Sequence, residues 1–405
     1  MEYKGLPYLQ NKLAIKRSRT LLRYGFYEMK NVTFDFGIST PPELRYWNSV
    51  IGWNAKAVDA MTDRLSFRRF RDDIFGFDSI LDMNNRDVLL PSLWQGALVS
   101  ACDFVYISRG TDGFPRLQAI DGENATGIID STTGMLTEGY AVLERDQYNL
   151  PTREAYFTRD YTAWYVNGEL EGYEANPAPY ALLVPVVYRP DAKRPFGHSR
   201  ISRACMSLTG SALRTIKRSE ISAEFYSFPQ KWVTGLDPSA EEGLDKWAAA
   251  MSAMMQFDLN DSGQNEVKLG QFQTASATPH LEQLKMFASL FAGETGLTLD
   301  DLGFATENPS SSEAIKAQHE NLRLAVRSAQ NTFGVGLLNA CFLAACVRDR
   351  FEYSRQQIYN TRLQWMPAFP ADASMLGAIG DAIGKMAASF PAYLDEDKIF
   401  DLTGI

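Results

Sequence analysis

The residue types that do covalent or hydrolytic chemistry are few in this chain, and they are not spaced to cooperate. Its three histidines, His198, His280 and His319, lie far apart, and none falls in a catalytic motif. The four cysteines, Cys102, Cys205, Cys341 and Cys346, make no CxxC pair and no metal-ligand spacing, so reduced thiols are expected. Neither GxSxG nor HExxH occurs. The run Gly377-x-x-Gly380-x-x-x-Gly384-Lys385 looks like a phosphate loop. However, Ile379 occupies the position that needs glycine, and Met386 the one that needs Ser or Thr. Close helix packing through small residues is its better reading. Asp300-Asp301 is a candidate acid or metal pair, against which stands an ordinary cap of a loop or helix. No catalytic residue, metal or cofactor is assigned, and no enzyme is expected.

Some residues do have the chemistry to meet nucleic acid. Arg203, Arg214, Lys217 and Arg218, with Arg200 just before them, lie off the apolar stripe of a helix. A solvated face is the competing reading for them. Trp232 and Trp247 could stack bases or belong to a local core, and Lys231 and Lys246 stand beside them. The overall balance is acidic: 49 Asp and Glu against 40 Lys and Arg, a formal net charge of −9. That argues against gripping nucleic acid by its phosphates. It does not exclude a protein past which nucleic acid slides.

The elements that must position these residues follow from periodicity. The chain has 405 residues and is 45% hydrophobic, enough for a sizeable core and two to four domains. From Pro309 to Arg350, Ile315, Leu322, Val326, Ala329, Phe333, Leu337, Ala340, Ala344 and Val347 recur at steps of three, four or seven. This predicts one helix of roughly 60 Å. Ser310, Ser311 and Ser312 would cap it and Glu313 would sit in its first turn. Its apolar half, Phe333–Val347, is about fifteen residues, short of the roughly twenty needed to span a membrane, and is read as buried.

Upstream, residues 1–100 read as helical: Leu6–Arg23, Glu43–Leu65, and Asp87–Ala101 with Pro91 at its start. Residues 101–190 read as an antiparallel meander of Cys102–Ser108, Arg116–Ile120, Gly127–Asp130, Leu136–Arg145, Glu154–Thr158, Tyr161–Val166, Glu169–Tyr173 and Leu182–Tyr188. Asn167-Gly168 marks a type I′ hairpin. The arrangement is α+β. A helix of about 28 residues then starts near Ser199, with Ile201, Cys205, Leu208, Ala212, Ile216, Ala223 and Tyr226 as its stripe. Residues 229–278 form a small insert with a strand, a helix over Ser239–Met255 and a second strand, a weak core that needs a neighbour. Next comes the helix His280–Glu294, with Leu281, Leu284, Phe287, Ala288 and Phe291 as its apolar side. A polar loop, Leu297–Ser312, feeds the long helix. Gln357–Met366 is strand-like, and Ala373–Phe390 a small-residue helix.

This order, an α+β region followed by helix, small insert, helix, polar loop and very long helix, resembles the portal (head-to-tail connector) proteins of tailed double-stranded DNA bacteriophages. The stretches RPFGHSRIS, SAEFYSFPQKWVTGLD and GLTLDDLGFATENPSSSEAIKAQHENLRLAVRSAQNTFG carry the likeness, which spans roughly residues 40–350. The resemblance implies a wing over 1–198, a first stem helix over 199–228, a clip over 229–278, a second stem helix over 279–296, a tunnel loop over 297–312, a long wing helix over 313–350 and a short helical crown or wing region over 351–405. It implies a ring, usually of twelve copies, at one capsid vertex of the virion, assembled in the host cytoplasm, through which the genome is packaged and ejected. Asp300, Asp301, Thr306, Asn308, Ser310 and Ser311 would line the tunnel loop. Arg203, Arg214, Lys217 and Arg218 would be the basic residues of the stem. Lys231, Trp232, Lys246 and Trp247 would make the clip contacts. The implied partners are other copies of the chain, double-stranded DNA, the terminase large subunit, the head-tail adaptor, and the major capsid and scaffolding proteins, with no membrane. Another neck or head protein, or an enzyme with an unrecognised site, are the alternatives.

Overall fold

The computed structural model describes residues 4–31, 46–227, 231–234, 268–271, 276–304, 317–369, 373–389 and 399–400. The chain divides into two compact units. Residues 1–31, 52–206 and 292–405 form the first, and residues 32–51 and 207–291 the second.

In the first unit, helix α1 (Leu6–Tyr27) carries Pro7 at its start, where the missing N–H is no loss. Of the helix expected over 43–65, only α2 (Trp53–Thr62) is helical among the described residues. Gly52 occupies the N-cap and the chain before it is irregular, with Val50 exposed. Helices α3 (Phe77–Asp82) and α4 (Arg86–Ser100) follow. Pro91, expected at a helix start, lies inside α4 beyond its first turn. The lost hydrogen bond is outweighed locally, because Leu89, Leu90, Leu93 and Trp94 around it are all buried.

Strand β1 (Phe67–Arg71) lies in the region read as helical and pairs antiparallel with β12 (Arg362–Trp365). Strands β2 (Cys102–Arg109), β3 (Pro115–Ile120), β4 (Ala125–Ile129), β5 (Leu136–Arg145), β6 (Pro151–Phe157), β7 (Tyr161–Val166), β8 (Glu169–Ala175) and β9 (Leu183–Val187) stand where the alternation places them. Asn167 and Gly168 take φ of 51° and 84°, the left-handed pair that a type I′ turn requires.

The strands do not form one meander. They divide into a three-stranded sheet, β3-β2-β9, and a five-stranded sheet, β4-β5-β6-β7-β8. Gly122 makes the handover possible, because a Cβ there would stand 2.4 Å from the carbonyl oxygen of Cys102. In the small sheet, Cys102–Ile107 of the central strand β2 and Leu183–Val187 of β9 are buried throughout. Their continuous apolar runs suit a layer covered on both faces, here by α4 and by the long helix α7 (Glu320–Asp349).

Helix α7 has 30 residues, about 45 Å. The unbroken rod from 309 is corrected: residues 317 and 318 are helical, but His319 turns away with φ −87° and ψ 1° and serves as the N-cap. Ser310, Ser311, Ser312, Glu313 and Ile315 lie outside the described residues. The expected face is buried at every described position: Leu322, Val326, Ala329, Phe333, Leu337, Ala340, Ala344 and Val347. From Phe333 onward the helix is buried on nearly every side. It is long and apolar enough to cross a membrane, and most of its apolar stretch is buried within the protein. Trp94 stacks on Phe333 with ring centroids 5.0 Å apart. A short 3-10 turn (Arg355–Ile358) precedes β12, and α8 (Ala373–Ser389) follows it. Phe400 is buried beneath the guanidinium of Arg68.

The second unit holds most of α5 (Arg203–Ser227) and of α6 (Thr278–Thr295), with β10 (Lys231–Thr234) paired antiparallel to β11 (Lys268–Gln271). Within it Thr215 donates to Gln283 Oε1 at 3.2 Å and Ser49 to Glu220 Oε2 at 2.8 Å. The helix expected over Ser239–Met255 lies outside the described residues.

Candidate nucleic-acid interface

The helix expected from Ser199 begins at Arg203, and the local hydrogen bonds say why. Ser199 Oγ donates to Val99 O at 2.6 Å and accepts from Ile201 N at 3.0 Å, so it ties the segment to α4. Ser202 Oγ accepts from Cys205 N at 3.2 Å, as an N-cap does. The same hydroxyl donates to Glu294 Oε1 at 2.8 Å. Beside it Arg200, only 9% exposed, donates Nε to Ala57 O at 2.6 Å and Nη2 to Thr295 O at 2.7 Å. Within the first unit, the first turn of α5 and the last of α6 are therefore bound together. Arg200 and the Ser202–Glu294 pair are structural anchors that periodicity missed. A signal was available, since an arginine just before a helix N-terminus opposes the dipole and calls for its own acceptors.

Of the basic residues expected on this helix, Arg203 and Arg218 are exposed, and Arg214 is half-buried with Nη2 donating to Ser211 Oγ at 2.9 Å. Lys217 is 2% exposed, which corrects the reading of a solvated face there. The buried side is also turned from the one expected. Thr209, Leu213 and Thr215 join Ile201, Cys205 and Ala212 in burial, whereas Leu208 and Ile216 are half-buried and Ala223 exposed. The side chain of Tyr226 lies outside the described residues. On α6, Ala288 and Phe291 are buried, Leu284 and Phe287 half-buried, and Leu281 exposed.

After α6, Gly296 takes φ 72° and packs against the backbone of Asn321 and Leu322 at the start of α7. Thr298 and Asp301 then cap one another: Thr298 N donates to Asp301 Oδ2 at 2.9 Å, and Asp301 N to Thr298 Oγ1 at 3.2 Å. Asp301 is thus a cap and Asp300 an exposed neighbour in the turn Asp300–Leu302. Thr306, Asn308, Ser310 and Ser311 lie outside the described residues, as do Lys246 and Trp247. Lys231 and Trp232 stand in β10 opposite Gln271 and Gly270.

The strongest buried ionisable group elsewhere is Asp103, at the start of β2. Its Oδ1 accepts from Ser100 Oγ at 2.7 Å and from Gly122 N at 2.9 Å. Burial, reinforced by the charge of Asp121, pushes its carboxyl up to about 8. A Cβ on Gly96 would stand 1.8 Å from Asp103 Oδ2, so α4 leaves no room for a substrate there. Among the described residues, no group of three or more His, Cys, Asp or Glu is placed to hold a metal ion.

Along the chain, a helix-and-sheet region is followed by two helices with a small β-pair between them in sequence, and then by a long buried helix. Comparison with known proteins sharpens this. The chain is 26% identical to the portal protein of Mycobacterium phage D29 over 333 residues, which is 76% of this chain and 67% of that one. It is 25% identical to the portal protein of Mycobacterium phage L5 over 331 residues, with the same coverage. No protein-family model matches it. Solved structures that resemble it include a chain of the virion of a native gene transfer agent particle, with TM-score 0.46, 12% identity, and 95% and 93% of the two chains covered. A chain of that particle's neck, computed with C12 symmetry, gives TM-score 0.43 and 13% identity over 86% and 89%. The chain is a relative of bacteriophage portal proteins, as the resemblance in its sequence implied.

Proposed function

We propose that this chain is the portal subunit of a tailed phage: a homo-oligomeric ring, expected to have twelve copies, at one vertex of the capsid. The ring is the channel for packaging and ejecting double-stranded DNA. The observation that carries this is the sequence relation to two phage portal proteins over 76% of the chain. The order helix, small β-pair, helix, capped turn and long buried helix supports it. In this reading α5 and α6 are the stem, residues 229–278 the clip, and residues 297–312 the tunnel loop. The long helix anchors that loop in the wing. The clip docks the terminase large subunit during packaging and the head-tail adaptor afterwards. Major capsid and scaffolding proteins meet the outside of the ring, which can nucleate head assembly.

An excess of acidic residues keeps the channel from gripping the phosphates, so DNA slides. Exposed Arg203 and Arg218 supply local phosphate contacts, and Asp300 lies at the tunnel turn. The ATP chemistry of translocation belongs to the motor, and this chain is structural.

Native mass measurement and negative-stain imaging of the purified protein test the reading. Rings with an open axial channel are the expected result. Monomers or dimers under every assembly condition would overturn it.

A further inference from the structure

The five-stranded sheet carries a projection at one end and a cleft at the other. The projection is the turn between β5 and β6. Asp146 builds it, because its Oδ1 accepts from Tyr148 N at 2.9 Å and from Leu150 N at 2.8 Å. Arg145 is turned inward, with Nε donating to Asn124 Oδ1 and Nη1 to Asn149 O, both at 2.9 Å. The turn is thus ordered before any partner arrives, yet Tyr148 and Leu150 stand out from it, 76% and 61% exposed. A tyrosine on a preordered turn docks with little loss of conformational freedom.

The cleft opens between the two sheets where α7 ends, and it encloses about 310 Å³. Its apolar wall is Tyr106, Trp164, Leu182 and Val347, with the rings of Tyr106 and Trp164 edge to face at 6.0 Å. Arg109, Glu174 and Arg350 bring charge to it, and Glu174 and Arg350 are exposed.

Strand register holds the two features apart. Arg145 pairs with Pro151 beside the turn, whereas Gly139, Phe157, Thr162 and Glu174 align in one row at the other end, by the cleft. The steps from Pro151 to Phe157 along β6 span roughly 20 Å. A chain therefore cannot place its own turn in its own cleft.

We propose that Tyr148 of one copy docks in the cleft of the next copy of this chain. Its ring packs on Trp164, its hydroxyl donates to Glu174, and Leu150 covers Pro177 at the rim. An aromatic side chain in a pocket walled by aromatics is the kind of anchor that dominates a protein interface. The turn also carries Asp146 and the exposed Glu144, which meet Arg109 and Arg350 at the cleft. Projection and cleft lie at opposite ends of one sheet, so each copy gives to one neighbour and receives from the other without turning over. Such a head-to-tail contact closes into a ring when its rotation allows. The inference rests on the portal reading and gives the ring one of its subunit contacts.

Paired cysteines and a truncation test it. The four natural cysteines are buried, so new surface thiols react selectively. Tyr148→Cys combined with Ala175→Cys, on the exposed rim of the cleft, should give a ladder of two, three and more linked chains after mild oxidation. Each single variant alone should give no linked chains, and negative-stain images are taken of the same samples. Tyr148→Ala should keep the wild-type melt and raise the protein concentration at which rings appear about tenfold or more. Rings without a ladder, or rings of Tyr148→Ala at the wild-type concentration, would overturn this contact and leave the portal reading standing. A linked dimer from either single variant would show like features meeting and would also overturn the contact. Monomers of the unaltered protein under every condition would overturn both.

Discussion

Arg200 shows how much one side chain decides here. It places a cation where the helix dipole repels it, and it stays because two carbonyls, Ala57 O and Thr295 O, accept from it. Arg200→Met keeps the aliphatic bulk and removes both of these hydrogen bonds. It should cost about 3 kcal/mol, read by chemical denaturation. Asp103 gives a pH signature. Its carboxyl sits at about 8 in the fold, through burial first, against about 4 in the unfolded chain. The folded state therefore holds the proton more tightly. This contribution is full below about pH 4 and is lost as pH rises through about 8. Thermal melts should show stability from this group falling over that window, and Asp103→Asn should flatten the slope. In the turn after α6, Asp301→Ala should cost about 1 kcal/mol by removing the cap of Thr298, read as a lower thermal melt. The pattern Thr298-x-x-Asp301 was legible as a cap in the sequence. The burial of Lys217 was not, because periodicity assigns a charge to the outside by default.

Among the elements, α7 was the most legible. Its apolar positions and its largely buried second half are where the spacing puts them, because only a helix brings residues three and four apart onto one side. Leu337→Asp would bury an unpaired charge and should abolish soluble, folded protein, read by circular dichroism of the expressed chain. Gly336 was not legible. A Cβ there would stand 3.0 Å from Pro185 O and 3.2 Å from Val186 Cα, so α7 rests backbone to backbone on β9. Gly336→Val should destabilise by about 2 kcal/mol through overpacking. The β-strands were legible one by one, from Cys102 to Val187, and most pair with their sequence neighbours as a meander does, but the break between β3 and β4 and the pairing of β2 with β9 were not legible. Alternation fixes which way side chains point, and says nothing about which strand lies alongside. Hence the division into two sheets, and the pairing of β1 with β12 across almost the whole chain, came only with the fold.

For the whole molecule, the acidic balance and the exposed basic residues of α5 make a separable prediction. Arg203→Glu with Arg218→Glu should leave ring formation intact by negative stain and lower DNA packaging, assayed by nuclease protection of the packaged genome. Loss of rings would move these residues from the channel to the subunit contact.

The sequence by itself determined the α+β class, nearly every strand between 102 and 187, the buried face of α7 and the relation to phage portal proteins. Local periodicity and turn chemistry act over a few residues and are written in order along the chain. Tertiary structure alone decided the two-sheet division, the junction of Arg200, Ser202, Glu294 and Thr295, and the burial of Lys217. Each of these depends on groups far apart in the chain meeting in space, and no local pattern records such a meeting.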